Sequence, residues 1–418
     1  MKRRDLIKSL TLLPLAGNFL SIESLIAAPA HRYHLSLTPQ NGPMPDLHRK
    51  AFVMDGHVHV MTRELLLGTD IGQRYPDGTV DLPRAKEGGL NAMFFSVYTP
   101  EQYYPGRFEV KNTFRVVNLA LDQVKKNNAM IELALTASDI ERINKKGKMA
   151  AFLDLEGGYD LDGDINLLRA LYRLGLRSMQ LTAHNTTNAF IDSCNDVSRW
   201  GGINDHGKKI IAEMNHLGMV INVAHASNDA ILQTAAASKH PVIYSHGGFY
   251  GIVPHPRCIT DEAAKAVALK GGVIGIQFGS LFNNPKYFAW KKKTPNETTP
   301  ASVQVSAMKT IEDVDRQLAK DVPLNFRGTI PAEYWMHVDQ LAKVVDYGVN
   351  LVGEDHIALG SDFDGGPELP QEIKDISDYP QMTMALQRLG YSDQRIKKIV
   401  GLNWLRVIRQ VTEGKIQS

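Results

Sequence analysis

Histidine and carboxylate side chains recur in this sequence at the ends of short apolar runs. His57 and His59 close the run AFVMDGHVH, and Glu156 closes the run MAAFLDLE. Four later runs end in the same way, with His184 in LTAHN, His225 in INVAHAS, His246 in VIYSHGG and Asp362 in GSDFDGG. Imidazole nitrogens and carboxylate oxygens are the ligands that zinc-like ions take where thiolates are absent. The set therefore predicts metal chemistry.

The spacing of these residues favours two ions. Side chains along a strand repeat with a period of two, so His57 and His59 are expected to face the same way and to hold one ion together. Glu156 has two carboxylate oxygens with which to bridge a pair of ions, and His225 and His246 come from neighbouring strands and are expected to hold the second. A lone histidine at a strand end is usually structural, but several that converge on one face favour metal ligation. The expected cofactor is a pair of divalent ions, with zinc as the metal.

Eight apolar runs read as strands, and helical patterns lie between most of them. The runs are 51–54, 91–97, 149–155, 176–182, 219–224, 241–245, 272–278 and 356–361. Eight strands that alternate with helices predict an α/β fold, a (β/α)8 TIM barrel, whose catalytic groups lie at the carboxyl ends of the strands. An open doubly wound sheet is the alternative, disfavoured because no GxGxxG follows the first strand. We expect an insertion after strand 7, at 281–330, and extra C-terminal helices at 371–415.

The first thirty residues have a basic head, an apolar middle and a small-residue end. With the pair Arg3-Arg4 they predict a twin-arginine-type signal peptide at 1–30, cleaved after Ala30. The alternative is an amphipathic first helix of the domain. We expect a linker at 31–50 and a catalytic barrel at 51–418. The leader contains no cysteine, and no other apolar run reaches the roughly 18 residues that span a bilayer. A soluble periplasmic enzyme without a stable membrane anchor, exported by the Tat machinery, is expected.

Composition excludes other classes of function. A formal net charge of +2 gives no basic surface for nucleic acid, and a hydrophobic content of 43% is ordinary for a soluble enzyme. The two cysteines, Cys194 and Cys258, lack CxxC spacing and are too few for a structural zinc site. The sequence leaves open whether they pair, and a homodimer is one option for the assembly.

Seven segments in a fixed order carry a family resemblance. They are DGHVHV, DLEGG, RSMQLTAHNTTN, GMVINVAHAS, PVIYSHGGFYGIVPHPR, HIALGSDFDGG and GLNWLRVI. The set resembles the membrane (renal-type) dipeptidases, peptidase family M19, of the metal-dependent amidohydrolase superfamily. The resemblance implies a TIM barrel, a binuclear zinc centre and hydrolysis of dipeptides, including L,D-dipeptides. It also implies roles for single residues: metal ligation by His57, His225 and His246, bridging by Glu156, binding of the substrate carboxylate by Arg257 and proton transfer by Asp362.

Two positions depart from the family pattern. The family usually has His-x-Asp in the first strand, where this chain has His59 in place of the aspartate. Ala183 adds a residue before His184, whose expected role is to bind the substrate and stabilise the oxyanion; a structural hydrogen bond is the alternative. The expected mechanism is attack of a metal-bridging hydroxide on the peptide carbonyl, with Asp362 passing the proton to the leaving amine.

Two other functions compete with a periplasmic dipeptidase. The His-x-His pattern is shared with the wider amidohydrolase group, so a hydrolase of a non-peptide amide, lactone or carbamate is the first alternative. Arg257 favours the dipeptidase function, because its guanidinium is suited to bind a substrate carboxylate. A catalytically silent binding protein is the second alternative, and the complete set of ligands with an acid–base aspartate argues against it.

Overall fold

The computed structural model describes residues 44–414 except 102, 105–107, 295–309 and 322–329. The predicted signal peptide and residues 31–43 of the predicted linker lie outside the described residues. The end of that linker belongs to the fold instead, because Asp46–Lys50 is helical and buries His48. The imidazole of His48 contacts Thr383 Oγ1 at 2.6 Å and the Gly88 carbonyl at 2.9 Å. The packed domain therefore begins before residue 51.

Nine strands in the described part of the chain form one parallel sheet. They are β1 (Met54–Val58), β2 (Ala92–Tyr98), β3 (Ile131–Leu133), β4 (Met149–Glu156), β5 (Leu176–Gln180), β6 (Val220–Asn222), β7 (Val242–Tyr244), β8 (Val273–Ile276) and β9 (Ile357–Leu359). Their order is β1-β2-β4-β5-β6-β7-β8-β9, and β3 pairs with β4 alone. All eight predicted strands are present. The sequence prediction missed β3, whose three residues make too short a run to stand out.

The segment after β9 closes the sheet against β1. The Asp362 N–H donates to the His57 carbonyl, and the His59 N–H donates to the Phe363 carbonyl, both at 2.9 Å. The buried Asp55 carboxylate accepts N–H groups from His57 and Ser361, each at 2.9 Å. Asp55 therefore joins two backbones. The result is a nearly closed eight-strand barrel, which confirms the predicted TIM fold.

Helices surround this barrel. They are Asp46–Lys50, Met61–Leu67, Leu82–Glu87, Glu109–Lys126, Ala137–Asn144, Ile165–Leu174, Asp205–Leu217, Asn228–Ala237, Asp261–Leu269, Ser280–Asn283, Pro285–Lys293, Ile311–Asp321, Val338–Val352, Pro380–Arg388, Asp393–Lys397 and Asn403–Thr412. The last three are the extra C-terminal helices that the sequence predicted. The described parts of the predicted insertion at 281–330 are also helical. Among the helices of the described residues, none has the length and apolar character needed to cross a bilayer.

Trp404 fills the amino-terminal end of the barrel. It packs with Met54, Phe94 and Phe152, which lie near the starts of their strands. Its indole N–H donates to the Leu359 carbonyl at 2.9 Å. A Cβ atom at Gly56 would overlap this indole, so only glycine fits between Asp55 and His57. The C-terminal segment GLNWLRVI thus closes the barrel end opposite to the one where the strands finish.

A β-bulge in β1 turns the two histidines into the barrel. Met54 and Asp55 pair with Ala92 and Met93, but Val58 pairs with Phe95, so three steps along β1 match two along β2. An extra residue in one strand exchanges the faces of the residues that follow it. The strand starts at the end of the apolar run 51–54 and includes His57, as expected, and His59 follows directly after it.

Candidate metal centre and active site

The Glu156 carboxylate lies between two pairs of imidazoles. Glu156 is the buried last residue of β4. Its Oε2 lies 3.2 Å from His57 Nε2 and 3.0 Å from His59 Nε2. Its Oε1 lies 3.1 Å from His225 Nε2 and 4.0 Å from His246 Nε2. Each oxygen of one carboxylate thus faces its own pair of nitrogens, as the sequence predicted for a bridging ligand.

Within each pair the two Nε2 atoms lie within hydrogen-bonding distance of each other. The Nε2 atoms of His57 and His59 are 3.1 Å apart, and those of His225 and His246 are 3.2 Å apart. Two neutral imidazoles that face each other in this way share one proton at most, whereas a cation would satisfy both lone pairs. Burial holds the pKa values of His225 and His246 well below the ordinary value, which keeps both rings neutral and able to bind metal.

His59, unlike His225 and His246, favours its protonated form when no metal is bound. Burial lowers its pKa, but the carboxylates of Glu156 and Asp362 outweigh burial and raise the pKa of His59 to about 10. Burial raises the pKa of Glu156, and the neighbouring His57 and His59 outweigh it and hold the pKa of Glu156 well below its usual range. A proton on His59 therefore occupies the place where a divalent ion would bind. The donor set fits metal at both pairs.

Asp362 directs one carboxylate oxygen at the first pair. Its Oδ1 lies 3.3 Å from His59 Nε2 and 3.7 Å from His57 Nε2. This oxygen is buried and has no hydrogen-bond partner among the described residues. Its Oδ2 accepts a hydrogen bond from Gln277 Nε2 at 2.5 Å. Asp362 is close enough to serve as a ligand as well as the predicted proton carrier.

His184 is the residue of the segment LTAHN that reaches the site. Its Nε2 lies 4.0 Å from Glu156 Oε1, and its Nδ1 lies 2.9 Å from the Tyr98 hydroxyl and 3.5 Å from Glu101 Oε2. Burial lowers the pKa of His184, but the Glu101 carboxylate outweighs burial and raises it. Its backbone N–H donates to His225 Nδ1 at 3.1 Å. A metal held by His225 Nε2 would leave a proton on Nδ1, and this hydrogen bond would then be lost.

Arg257 lies beside the second imidazole pair. Its Nη1 donates to the Tyr244 hydroxyl at 2.7 Å and its Nη2 donates to the His246 carbonyl at 2.8 Å. The guanidinium is buried, and its Nε has no partner among the described residues. A buried donor without an acceptor is costly unless a ligand supplies one. The arrangement suits a carboxylate.

A cavity of about 170 Å³ opens onto the cluster. It is lined by His59, Glu156, His184, Asn195, His225, His246, Arg257, Gln277, Gly279, Leu281, Phe282, Asp362, Gly365, Gly366, Pro367 and Glu368. Together with His57, which belongs to the same cluster, the structure thus brings all eight predicted site residues together. This volume suits a small substrate rather than a protein chain.

Backbone strain concentrates at the same place. Five non-glycine residues of the described chain have positive φ angles, and three of them are His184 at 37°, His225 at 66° and Asp362 at 66°. Positive φ angles are uncommon outside glycine, although Asp and His adopt them more readily than most residues, and they persist where the surrounding structure holds them. Their position at three predicted site residues is typical of a functional centre.

Several residues that support the site escaped the sequence analysis. Ser96 donates to Glu156 Oε2 at 2.8 Å, and the Ser245 hydroxyl lies 2.9 Å from His246 Nδ1. Tyr98, the last residue of β2, and Gln277, directly after β8, hold His184 and Asp362. Because Tyr98 and Gln277 stand at the ends of strands, their positions in the sequence could have identified them as site residues. Cys194 and Cys258, whose pairing the sequence left open, are both free thiols.

Comparison with known proteins identifies the family. Residues 43–418 match the family model of the membrane dipeptidases, peptidase family M19. The chain belongs to this family. It is accordingly a dipeptidase of the M19 metallopeptidases, which confirms the resemblance inferred from the seven segments.

Two dipeptidases align with most of the chain. It is 29% identical to dipeptidase tcpJ of Claviceps purpurea (strain 20.1) over 344 residues. This alignment covers 80% of this chain and 70% of that protein. Dipeptidase verJ of Clonostachys rogersoniana is 28% identical over 343 residues, or 80% of this chain and 76% of that protein.

Solved structures share the fold. The probable dipeptidase PvdM from Pseudomonas aeruginosa superposes with a TM-score of 0.72 at 22% identity, over 88% of this chain and 97% of that one. A metallopeptidase from Rhodobacter sphaeroides, liganded with a phosphinate mimic of the dipeptide L-Ala-D-Ala, gives a TM-score of 0.68 at 20% identity, over 86% and 99% of the two chains.

Proposed function

We propose that this M19 protein is a binuclear zinc dipeptidase of the periplasm that cleaves dipeptides with a free carboxylate. The observation that carries the proposal is the position of the Glu156 carboxylate, because each of its two oxygens faces a different imidazole pair. One carboxylate shared by two nitrogen pairs is a suitable donor set for two ions. The proposed ligands are His57, His59, Glu156, His225 and His246.

Two divalent ions in this site would supply an activated water and polarise the scissile carbonyl. The proton and the developing charge are then handled by side chains. Asp362, with its unpaired Oδ1, takes the proton of the attacking water and passes it to the leaving amine. His184, whose Nε2 faces the Glu156 cluster, donates a hydrogen bond to the carbonyl oxygen as negative charge develops there.

Arg257 selects the substrate. Two of its nitrogens already donate to protein acceptors, and the free Nε–H together with the second hydrogen of Nη2 offers a two-donor edge to a carboxylate. A substrate whose terminal carboxylate binds this buried guanidinium has no further residue beyond it. The site therefore favours dipeptides over longer chains. The family resemblance extends the proposal to L,D-dipeptides.

The test combines metal analysis with a substrate screen. We expect purified protein to hold about two divalent ions per chain and to hydrolyse L,L- and L,D-dipeptides but not their C-terminal amides. Hydrolysis of the amides at equal rates, or a stoichiometry near one in the active enzyme, would contradict the proposal.

A metal-dependent hydrolase of a non-peptide amide, lactone or carbamate is the second candidate. The His57-x-His59 pattern favours it, because the sequence has histidine where the M19 pattern has aspartate. Activity on such substrates that survives Arg257→Ala, without dipeptide hydrolysis, would favour this second function.

A further inference from the structure

A third carboxylate lines the cavity outside the metal cluster. Of the acidic residues around it, Glu156 and Asp362 face imidazoles, whereas Glu368 lies on the loop that follows Asp362. Glu368 is half-buried, and the structure shows no ion pair to it among the described residues. A carboxylate that lines a substrate cavity without a cationic partner is available to a cation on the substrate.

Glu368 is held in place from two sides. Its Oε1 accepts a hydrogen bond from the hydroxyl of the buried Tyr287 at 2.5 Å. Its main-chain carbonyl accepts the N–H of Ser280 at 2.9 Å and the Ser280 hydroxyl at 2.8 Å. These bonds attach the loop to the segment that follows β8. The carboxylate is therefore fixed before a substrate arrives, which lowers the entropic cost of binding.

The loop that carries Glu368 and the side chain of Arg257 contact different imidazole pairs. A Cβ atom at Gly365 would overlap Asp362 Oδ1 and would lie 2.7 Å from His59 Cδ2, so the loop begins against the first imidazole pair. Arg257 donates to the His246 carbonyl and thus belongs to the second pair. The cavity is therefore lined by a cation beside one pair and by a loop that begins beside the other pair and carries the Glu368 carboxylate.

A dipeptide at neutral pH carries the complementary charges. If its carboxylate lies at Arg257 and its peptide bond at Glu156, its ammonium group lies towards the first imidazole pair. We propose that Glu368 binds the N-terminal ammonium of the substrate and so makes the enzyme specific for dipeptides with a free amino group. This inference rests on the proposed function and adds a second determinant of specificity to it.

The test compares L-Ala-L-Ala, N-acetyl-L-Ala-L-Ala and L-Lys-L-Ala with the metal-loaded full-length enzyme and with Glu368→Gln. Glutamine keeps an acceptor for Tyr287 and removes the charge. We expect KM for L-Ala-L-Ala to rise about tenfold with little change in kcat, because the lost contact binds the substrate rather than the transition state. The preference for the free over the acetylated dipeptide should shrink by a similar factor. Glu368→Asp, which keeps the charge, should retain part of that preference.

Glu262→Gln is the matched control, because it removes one exposed carboxylate from the helix Asp261–Leu269 and should leave the preference unchanged. An unaltered preference in Glu368→Gln, in an enzyme that does hydrolyse L-Ala-L-Ala, would overturn the inference alone. A loss confined to L-Lys-L-Ala would also overturn it, since Glu368 would then bind a side-chain cation. Absence of dipeptide hydrolysis by the unaltered enzyme would overturn the proposed function and this inference with it.

Discussion

Asp362 Oδ1 lies 3.3 Å from His59 Nε2, at a point where neither backbone is extended strand. The positive φ of Asp362 directs this oxygen into the first imidazole pair, while Gln277 holds the other oxygen of the carboxylate. One side chain is thus placed both to contact an ion at this pair and to receive a proton from a water beside it. The two roles are separable by experiment.

Asp362→Asn should keep the fold and the metal and lose turnover. An amide retains an oxygen for Gln277 but does not carry a proton, so we expect kcat to fall by about 10²–10⁴-fold. Metal content by atomic absorption and kcat on L-Ala-L-Ala check this prediction. Full turnover with metal bound would exclude Asp362 as the proton carrier. Loss of one ion would make it a ligand instead.

Arg257→Ala should weaken the binding of dipeptides. A buried carboxylate left without its partner costs about 2–5 kcal/mol, which appears mainly as a higher KM. Arg257→Lys is the control, because it keeps the charge but loses the two-donor edge and should recover only part of the affinity. The C-terminal amide should be a poor substrate of the unaltered enzyme and no worse for Arg257→Ala. A variant that binds dipeptides normally would rule out the carboxylate contact.

Glu101→Gln should lower kcat by about tenfold and leave KM nearly unchanged, because its carboxylate faces His184 Nδ1 and favours the imidazolium form. In the background of His184→Ala the same change should have no further effect, since the two residues act through one interaction. Steady-state kinetics of both single variants and the double variant measure this. Additive losses would mean that Glu101 acts independently of His184.

The order of strands and the ligand set were predictable because both leave local signals. Buried parallel strands form continuous apolar runs, and the polar residue that ends each run lies at the catalytic face. Glu156, at the end of MAAFLDLE, shows this directly. The inward direction of the His57 side chain was harder to predict, because it depends on a bulge in β1 that no local pattern marks.

Contacts between distant segments were not predictable. Arg257 is held by Tyr244, 13 residues away, and Asp362 by Gln277, 85 residues away, so the open Nε of Arg257 and the placement of Asp362 depend on how separate segments pack. The buried Asp55 carboxylate joins the backbones of His57 and Ser361, which no local pattern in the sequence marks. The position of the Glu368 carboxylate likewise depends on which loop lies against the cavity.

The predicted leader is tested by Arg3-Arg4→Lys-Lys, with both residues replaced. If residues 1–30 direct twin-arginine export, the precursor should accumulate in the cytoplasm and the periplasmic fraction should lose dipeptidase activity. Cell fractionation with an antibody against the mature domain measures both pools. Replacement of Lys2 by arginine, which keeps the basic head, is the control and should leave export unchanged. Normal periplasmic levels of the Lys-Lys variant would exclude this route.

His59→Asp restores the residue that is usual in the family and should change how the first ion binds. In the metal-free protein the pKa of His59 is about 10, above its ordinary value of 6.5, so the folded protein keeps the proton throughout the neutral range. An entering ion must displace that proton, and the affinity of the unaltered protein should therefore rise by about tenfold per pH unit. The same proton stabilises the metal-free fold fully below pH 6.5, and this contribution is lost as the pH rises towards about 10.

An aspartate at this position is already ionised at neutral pH. We therefore expect His59→Asp to lose the steep pH dependence and to bind the first ion more tightly near pH 7, because a carboxylate adds a negative charge that imidazole lacks. Without metal the variant places a third carboxylate beside Glu156 and Asp362, so its Tm should fall and should recover on metal addition. Competition with a chelator at pH 6, 7 and 8 gives the affinities, and His59→Ala, which supplies no ligand atom, is the control. Two ions and full activity in His59→Ala would show that His59 is not a ligand and would leave His57 alone at this end of the centre.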